Sequence, residues 1–345
     1  MNTQATTTKP NPVRTFLWLL RREYWEHRGG FFWAPLIAGG VIVGITLLSL
    51  IVAETTAARN GVKLSNMNLD MISRNMTPEQ IAHFNAGLTT GLMGLSIPIM
   101  AILSFVVFFY LLGALYDDRR DRSVLFWKSL PISDLDTVLS KIVAAVLVAP
   151  LLAIAATIAL HLAFLVLISA YAGLHGVNPL PLLWNPAPLV SMWIKLVLLI
   201  PVNALWALPT VGWLLLCSAF ARSKPFLWAV ALPVAFGAIL GFTQLLQRLS
   251  IPSSWYWRNI VARILFGVVP GGWFGTGGDG TLRSLASGGD IDISLGKFDL
   301  VNAVLTWDRI LDALASPDLW IGAAAGAGLI AAAIHFRRRR IETSV

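Results

Sequence analysis

Between Tyr116 and Lys141 the chain reads YDDRRDRSVLFWKSLPISDLDTVLSK, a charge-dense island of 26 residues held between two long apolar stretches. Asp117, Asp118, Arg119, Arg120, Asp121 and Arg122 mix both signs. Val124, Leu125, Phe126 and Trp127 then form an apolar ridge, and Leu130-Pro131-Ile132-Ser133 breaks it. The chemistry this pattern supports is recognition, because charges orient a partner and large aromatics fill a cleft on it. A short amphipathic helix exposing Phe126 and Trp127, stopped by Pro131 and restarted with Ser133 as N-cap, makes a rigid knob for a soluble protein. A solvated loop is the alternative. Asp136 falls in the first turn of the new helix, where its charge suits the positive end of the dipole.

Bond-making chemistry is poorly served elsewhere. Hydrolysis at membrane depth by a serine or a metal needs a nucleophile beside a base, or several convergent His, Asp and Glu ligands. His161 is the one histidine well inside an apolar run, and no H-E-x-x-H or G-x-S-x-G occurs. It reads as a hydrogen-bonded interior residue or as a group on a substrate path. Lys195, near the end of a later run, reads as a side chain snorkelling to the interface or as one facing that path. Gly275 to Gly280, GTGGDG, has a G-x-G-x-x-G spacing without a preceding strand or a following helix, and is expected to be a flexible loop. No G-x-x-x-x-G-K-[ST] occurs, so any ATP that powers the protein is hydrolysed by another chain. The lone Cys217 has no internal disulfide partner and suits a small buried hydrophobe.

The elements that hold these residues are set by composition. The 345 residues are 56% apolar and 13% charged, with mean hydropathy +0.71, against about 25% charged in soluble domains. This is the composition of an integral membrane protein. Apolar runs near 32–53, 92–116, 141–172, 189–221, 226–247 and 318–336 match the roughly 20 residues that cross a hydrocarbon core. They predict an all-α fold of six transmembrane helices. The third and fourth runs are longer than needed and carry Pro150, Pro201 and Pro209, which suggests tilt, kinks or projecting ends.

The net charge of +8 speaks for membrane topology, with no nucleic acid as partner, because its placement follows the positive-inside rule. With the N-terminus in the cytosol, segments 1–31, 117–140, 222–225 and 337–345 together with Lys141 hold 16 of 26 basic and 8 of 18 acidic residues. The opposite segments, 54–91, 173–188 and 248–318, hold nine basic and ten acidic ones. Both termini are therefore expected inside. The Arg337 to Arg340 cluster fixes that side and suits anionic headgroups, or a docking role. No cleavable signal peptide is expected.

Within the cytosolic segment 1–31, Arg14 to Gly30 reads as an interfacial helix. Phe16, Leu17, Leu20, Tyr24 and His27 share one face, while Arg14, Arg21, Arg22, Glu23 and Arg28 supply polar positions. Trp18 and Trp25 suit the headgroup level, and Gly29-Gly30 permits a sharp turn into the first span. A plain extension of that span is the alternative. Thr77-Pro78-Glu79-Gln80 predicts a short surface helix. The segment 248–317 is read as an external loop whose aromatics touch the outer leaflet or form a lid. Gly237 with Gly241, and Gly322 with Gly326, are small-residue ridges that allow close helix approach, within one subunit or between two.

At the 116–141 island the chain resembles the permease subunit of ABC-2 type transporters. The residues that carry the resemblance are Asp118-Arg119-Arg120-Asp121-Arg122-Ser123, then Leu125 and Leu130, Pro131-Ile132-Ser133, and Lys141, with Arg122-Ser123 standing where the family usually has Gly-Thr. The likeness in topology covers nearly the whole chain, and the residue-specific part is confined to the island. It implies an N-terminal interfacial helix, a six-helix transmembrane domain over 32–345 and a coupling segment at 117–140. It also implies two partners, a second permease copy or sister permease and a separate ABC ATPase subunit. ATP and Mg would sit on that ATPase and no cofactor on this chain, which would be a transport subunit and not an enzyme. Location in the bacterial cytoplasmic membrane and outward transport by alternating access follow from the same resemblance. The apolar interior favours a hydrophobic or amphipathic cargo such as a peptide antibiotic or a lipid. A membrane-embedded enzyme and a noncatalytic scaffold are the competing readings, and an ATPase encoded beside this chain would separate them from the first.

Overall fold

The computed structural model describes residues 11–60, 76–121, 132–176, 178–243, 253–275 and 307–342. Among the described residues there are helices and turns but no strands. Helix α1 (Pro12–Arg28) passes through a π-helical turn (Gly29–Trp33) into α2 (Ala34–Arg59); α3 is Pro78–Ala114 and α4 is Tyr116–Arg120. Helix α5 (Asp134–Val143) continues through a π-helical turn (Ala144–Val148) into α6 (Ala149–Leu174). Then come α7 (Leu180–Leu183), α8 (Pro186–Phe220), α9 (Pro225–Phe242), α10 (Ser253–Tyr256), α11 (Ala262–Phe266), α12 (Trp307–Ala315) and α13 (Pro317–Glu342). Six helical runs are long and apolar enough to cross a membrane, and the chain is read as a multi-pass membrane protein.

Helix starts follow the local sequence. Asn11, Thr77, Ser133 and Asn185 each cap a helix through a side-chain oxygen that accepts a backbone N–H. At Thr77 the cap is reciprocal, since Gln80 Oε1 in turn accepts the Thr77 N–H at 2.9 Å. This cap does not begin a short surface helix. It begins the 37-residue α3 itself, because the polar first turns lead into the apolar run without a break. The expected kink at Pro150 takes the form of the π-helical turn just before it, where the ladder loosens to accommodate the missing donor. Helix α8, by contrast, runs unbroken through Pro201 and Pro209.

The entry into the first span differs from expectation. Gly29 has ordinary right-handed helical angles, and the irregular residue is His27, at φ −113° and ψ 16°. Gly30 serves proximity, since a Cβ there would press on Val106 of α3. The buried face of α1 also differs: Leu19 and Glu23 point inward, while Leu17, Trp18 and Trp25 are exposed.

The main core joins α3, α5, α6, α8 and α13 around Leu111, Val138, Ala149, Leu214 and Ala333. Helices α8 and α13 approach one another closely. A Cβ on Gly326 would collide with the backbone of Leu208 and Pro209, and one on Gly212 with the Gly326 carbonyl. The Gly326 ridge thus packs within the chain. Gly237 receives the Tyr256 and Trp257 rings, whereas nothing lies within 4 Å of a Cβ placed at Gly241.

Part of the segment read as an external loop folds back into the bundle. Thr210 Oγ1 donates to the Arg263 carbonyl at 2.6 Å and accepts the Gly267 N–H at 3.0 Å. Tyr256 donates to the Pro233 carbonyl at 2.9 Å, and Asn203 Oδ1 accepts both Gly271 N–H and Trp273 Nε1–H. Thr210 stands ten residues before the end of α8, so α11 reaches to about 15 Å from that end. The aromatics are spent on packing against α9 as well as on outward contact: Tyr256 is buried, and Trp255 and Trp257 are exposed.

Candidate functional site

At the end of the bundle where α1, α4, α5 and α13 meet, charged side chains are enclosed among apolar ones. Lys141 Nζ lies 3.1 Å from Glu23 Oε1 and 3.6 Å from Asp118 Oδ2. Arg337 reaches Asp118 Oδ2 at 3.6 Å through Nη1 and Asp134 Oδ1 at 3.1 Å through Nε. Tyr110 donates to Glu23 Oε2 at 2.8 Å, and Arg22 approaches Glu23, Glu26 and Asp118 within 4.0 Å. Glu23, Lys141 and Arg337 are at most 5% exposed. Glu23, Asp118 and Asp134 are thus balanced by Arg22, Lys141 and Arg337.

Each element brings its charge by a local rule. Ser133 caps α5 and accepts the Asp136 N–H at 3.0 Å, which places Asp134 in the first turn and Lys141 two turns on along the same helix. The end of α3 is tied to the end of α8. Ser218 Oγ accepts the N–H groups of Leu115 and Tyr116, each at 2.9 Å. Arg119 Nη2 donates to the carbonyls of Ser218 at 2.6 Å and Ala221 at 3.0 Å, meeting acceptors that a helix end leaves unsatisfied. Asp118 is thereby held facing Lys141 and Arg337. Arg120 points away and pairs with Asp117 and Asp121 at the surface.

The hub therefore closes the base of the segment from which the docking knob was expected. Asp118, Arg119 and Arg120 lie on one flank of that segment, and Ser133 and Lys141 on the other. Ile132 is half-buried just before the cap. Arg122, Leu125, Phe126, Trp127, Leu130 and Pro131 lie outside the described residues, as does Thr276 to Gly280 of the glycine-rich stretch. On α1, Arg21 stacks over the exposed Trp18 at 5.0 Å and Arg28 over the exposed Trp25 at 5.5 Å, with half-buried Tyr24 edge-on to Trp25. Glu23, Glu26 and His27 offer ligand atoms within 4.8 Å of one another. Lys141 already neutralises Glu23, and Arg22 pairs with Glu26, so the cluster is accounted for by ion pairs.

Sequence reasoning placed Glu23 on the polar face of α1 and Arg337 in a basic cluster for headgroups or docking. The structure encloses and pairs both, so Glu23 does not face solvent and Arg337 is engaged by Asp118 and Asp134. A usable signal was present: Lys141, flanked by an apolar run, requires a counter-ion, and Glu23 falls on the helical face of Leu19 and His27.

His161 is fully buried between α3, α6 and α8. Trp193 Nε1–H donates to its Nδ1 at 3.1 Å. That assigns the proton to Nε2, which lies 2.8 Å from the Leu92 carbonyl and 2.9 Å from Ser96 Oγ. Both ring nitrogens are engaged in holding three helices together. Lys195 is half-buried in the half of α8 farther from the hub.

Fold and site together define a helical, multi-pass membrane protein with a buried ion network at one end. No family model matches the chain, and no curated protein or solved structure matches it.

Proposed function

We propose that this chain is the permease subunit of an ATP-driven exporter of the ABC-2 type, working with a separate ATPase at the hub end. The observation that carries the reading is the hub itself. It joins α1, both flanks of the 122–131 segment and α13 through buried ion pairs. A displacement of that segment by a partner therefore acts on four helices together, since the charges share partners and parting them weakens several buried ion pairs at once. Nucleotide can shift the packing of the spans only through its different affinity for two states of the complex. A rigid base under the docking segment is what such a linkage needs.

In this reading the hub end is cytosolic, α1 lies along the inner leaflet with Trp18, Arg21 and Trp25 at the headgroups, and a second permease copy or sister permease completes the path. The cargo is hydrophobic or amphipathic. Alanine at both Phe126 and Trp127 should release the ATPase from purified membranes while leaving the permease inserted. Unchanged co-purification would remove the docking claim.

A further inference from the structure

Away from the hub, the turn Gly267–Gly272 borders two cavities. One, of about 310 Å³, is apolar, with Met93, Met100, Ile154 and Leu199 in its wall. The other, of about 350 Å³, contains Arg258, Asn259, Arg263 and Asp318. Val269 borders both.

Arg263 is built into the second cavity. Its guanidinium lies over the buried Trp206 ring at 3.9 Å, and its backbone carbonyl is held by Thr210. A Cβ at Gly322 would collide with the guanidinium, so the glycine makes its space. Stacking uses the face of the cation and leaves its in-plane donors available. Nε and Nη2 are buried and have no hydrogen-bond partner among the described residues. These two groups form one edge of the guanidinium, the edge that binds phosphate or carboxylate side-on with two parallel bonds. An unsatisfied buried donor is costly, and here two point the same way. Asp318 lines the same cavity. Against Arg258 and Arg263 it leaves the cavity's described charges net positive. Gly322 is five residues, about 7 Å, from the start of α13, so the guanidinium lies toward the end of that helix away from the hub.

We propose that the Nε and Nη2 edge of Arg263 binds the phosphate diester of an anionic amphiphile, with the apolar cavity that shares Val269 for a tail. Binding stands on this chain's own residues, and only its description as cargo rests on the permease reading. A net positive lining favours a headgroup of net negative charge over a zwitterion.

The test is native mass spectrometry of the purified, delipidated full chain titrated with dioleoylphosphatidylglycerol, dioleoylphosphatidylcholine or inorganic phosphate. Arg338 and Arg339 also attract anionic headgroups, so the difference between wild type and variant is the quantity to read. Arg263→Gln should weaken phosphatidylglycerol binding about tenfold and leave phosphatidylcholine unchanged. Arg263→Lys, which keeps charge and bulk but not the paired donors, should weaken it about threefold. Unchanged phosphatidylglycerol binding in either variant would overturn the assignment. Inorganic phosphate binding as tightly as the lipid, with the same dependence on Arg263, would replace the amphiphile with a free anion. No ATPase is present in this assay, so its outcome is separate from that of the permease reading.

Discussion

Lys141 Nζ lies 3.1 Å from Glu23 Oε1, joining side chains that are 118 positions apart and only 2% and 1% exposed. The pair locks the N-terminal helix to the head of the third spanning run. Its neighbours Asp118 and Arg337 extend the lock to α4 and α13.

Lys141→Met should destabilise the chain by up to about 3–5 kcal/mol, because buried Glu23 loses its nearest cation and keeps only Arg22, at 3.7 Å. Glu23→Gln combined with Lys141→Met should cost less than the two single changes summed, with a coupling of at least about 1 kcal/mol. Equilibrium unfolding in detergent measures both. Additive costs would show that the pair is not coupled.

Ser218→Ala should expose the amides of Leu115 and Tyr116, which both donate to the lost hydroxyl. Hydrogen exchange at these two positions should accelerate while the middle of α6 stays protected. Unchanged protection at Leu115 and Tyr116 would mean that the α3–α8 tie is not made through Ser218.

Gly326→Ala should lower the midpoint of thermal unfolding markedly, since the new methyl meets the α8 backbone at Leu208 and Pro209, which cannot easily yield. Gly241→Ala should be neutral or slightly stabilising, as open space surrounds it. Equal effects would remove the distinction between these two ridges.

His161→Leu should cost about 1–3 kcal/mol by orphaning the Trp193 N–H and taking away the donor at the Leu92 carbonyl. If His161 acts only as a strut, stability falls and transport per folded molecule is kept. Loss of transport at full stability would instead place His161 on the path of the cargo.

How much of this was legible in the sequence differed from element to element. Spans are governed by runs of apolar residues, so all six were visible, and the Thr77 and Ser133 caps fell where the short-range pattern put them. Their lengths were harder to read. Polar first turns at Pro78 and Asp134 look like loop or surface helix until the structure joins them to the apolar helices behind. The hub was half visible: Asp118, Arg119 and Lys141 stood out, whereas Glu23, Tyr110 and Arg337 join it only through contacts between helices distant in sequence. The inward course of Ser253–Phe266 was hidden for the same reason, since aromatic residues near prolines suit a membrane surface as well as a packed core.

The most direct measurement of the central claim is capture of the tagged chain from its native membrane in mild detergent, with mass spectrometry of its partners and an ATPase assay of the eluate. The account predicts a Walker-motif ATPase at about equal stoichiometry, as one ATPase per permease requires, with ATP hydrolysis in the captured complex. Repeated absence of such a partner, with the chain intact and folded, would contradict it.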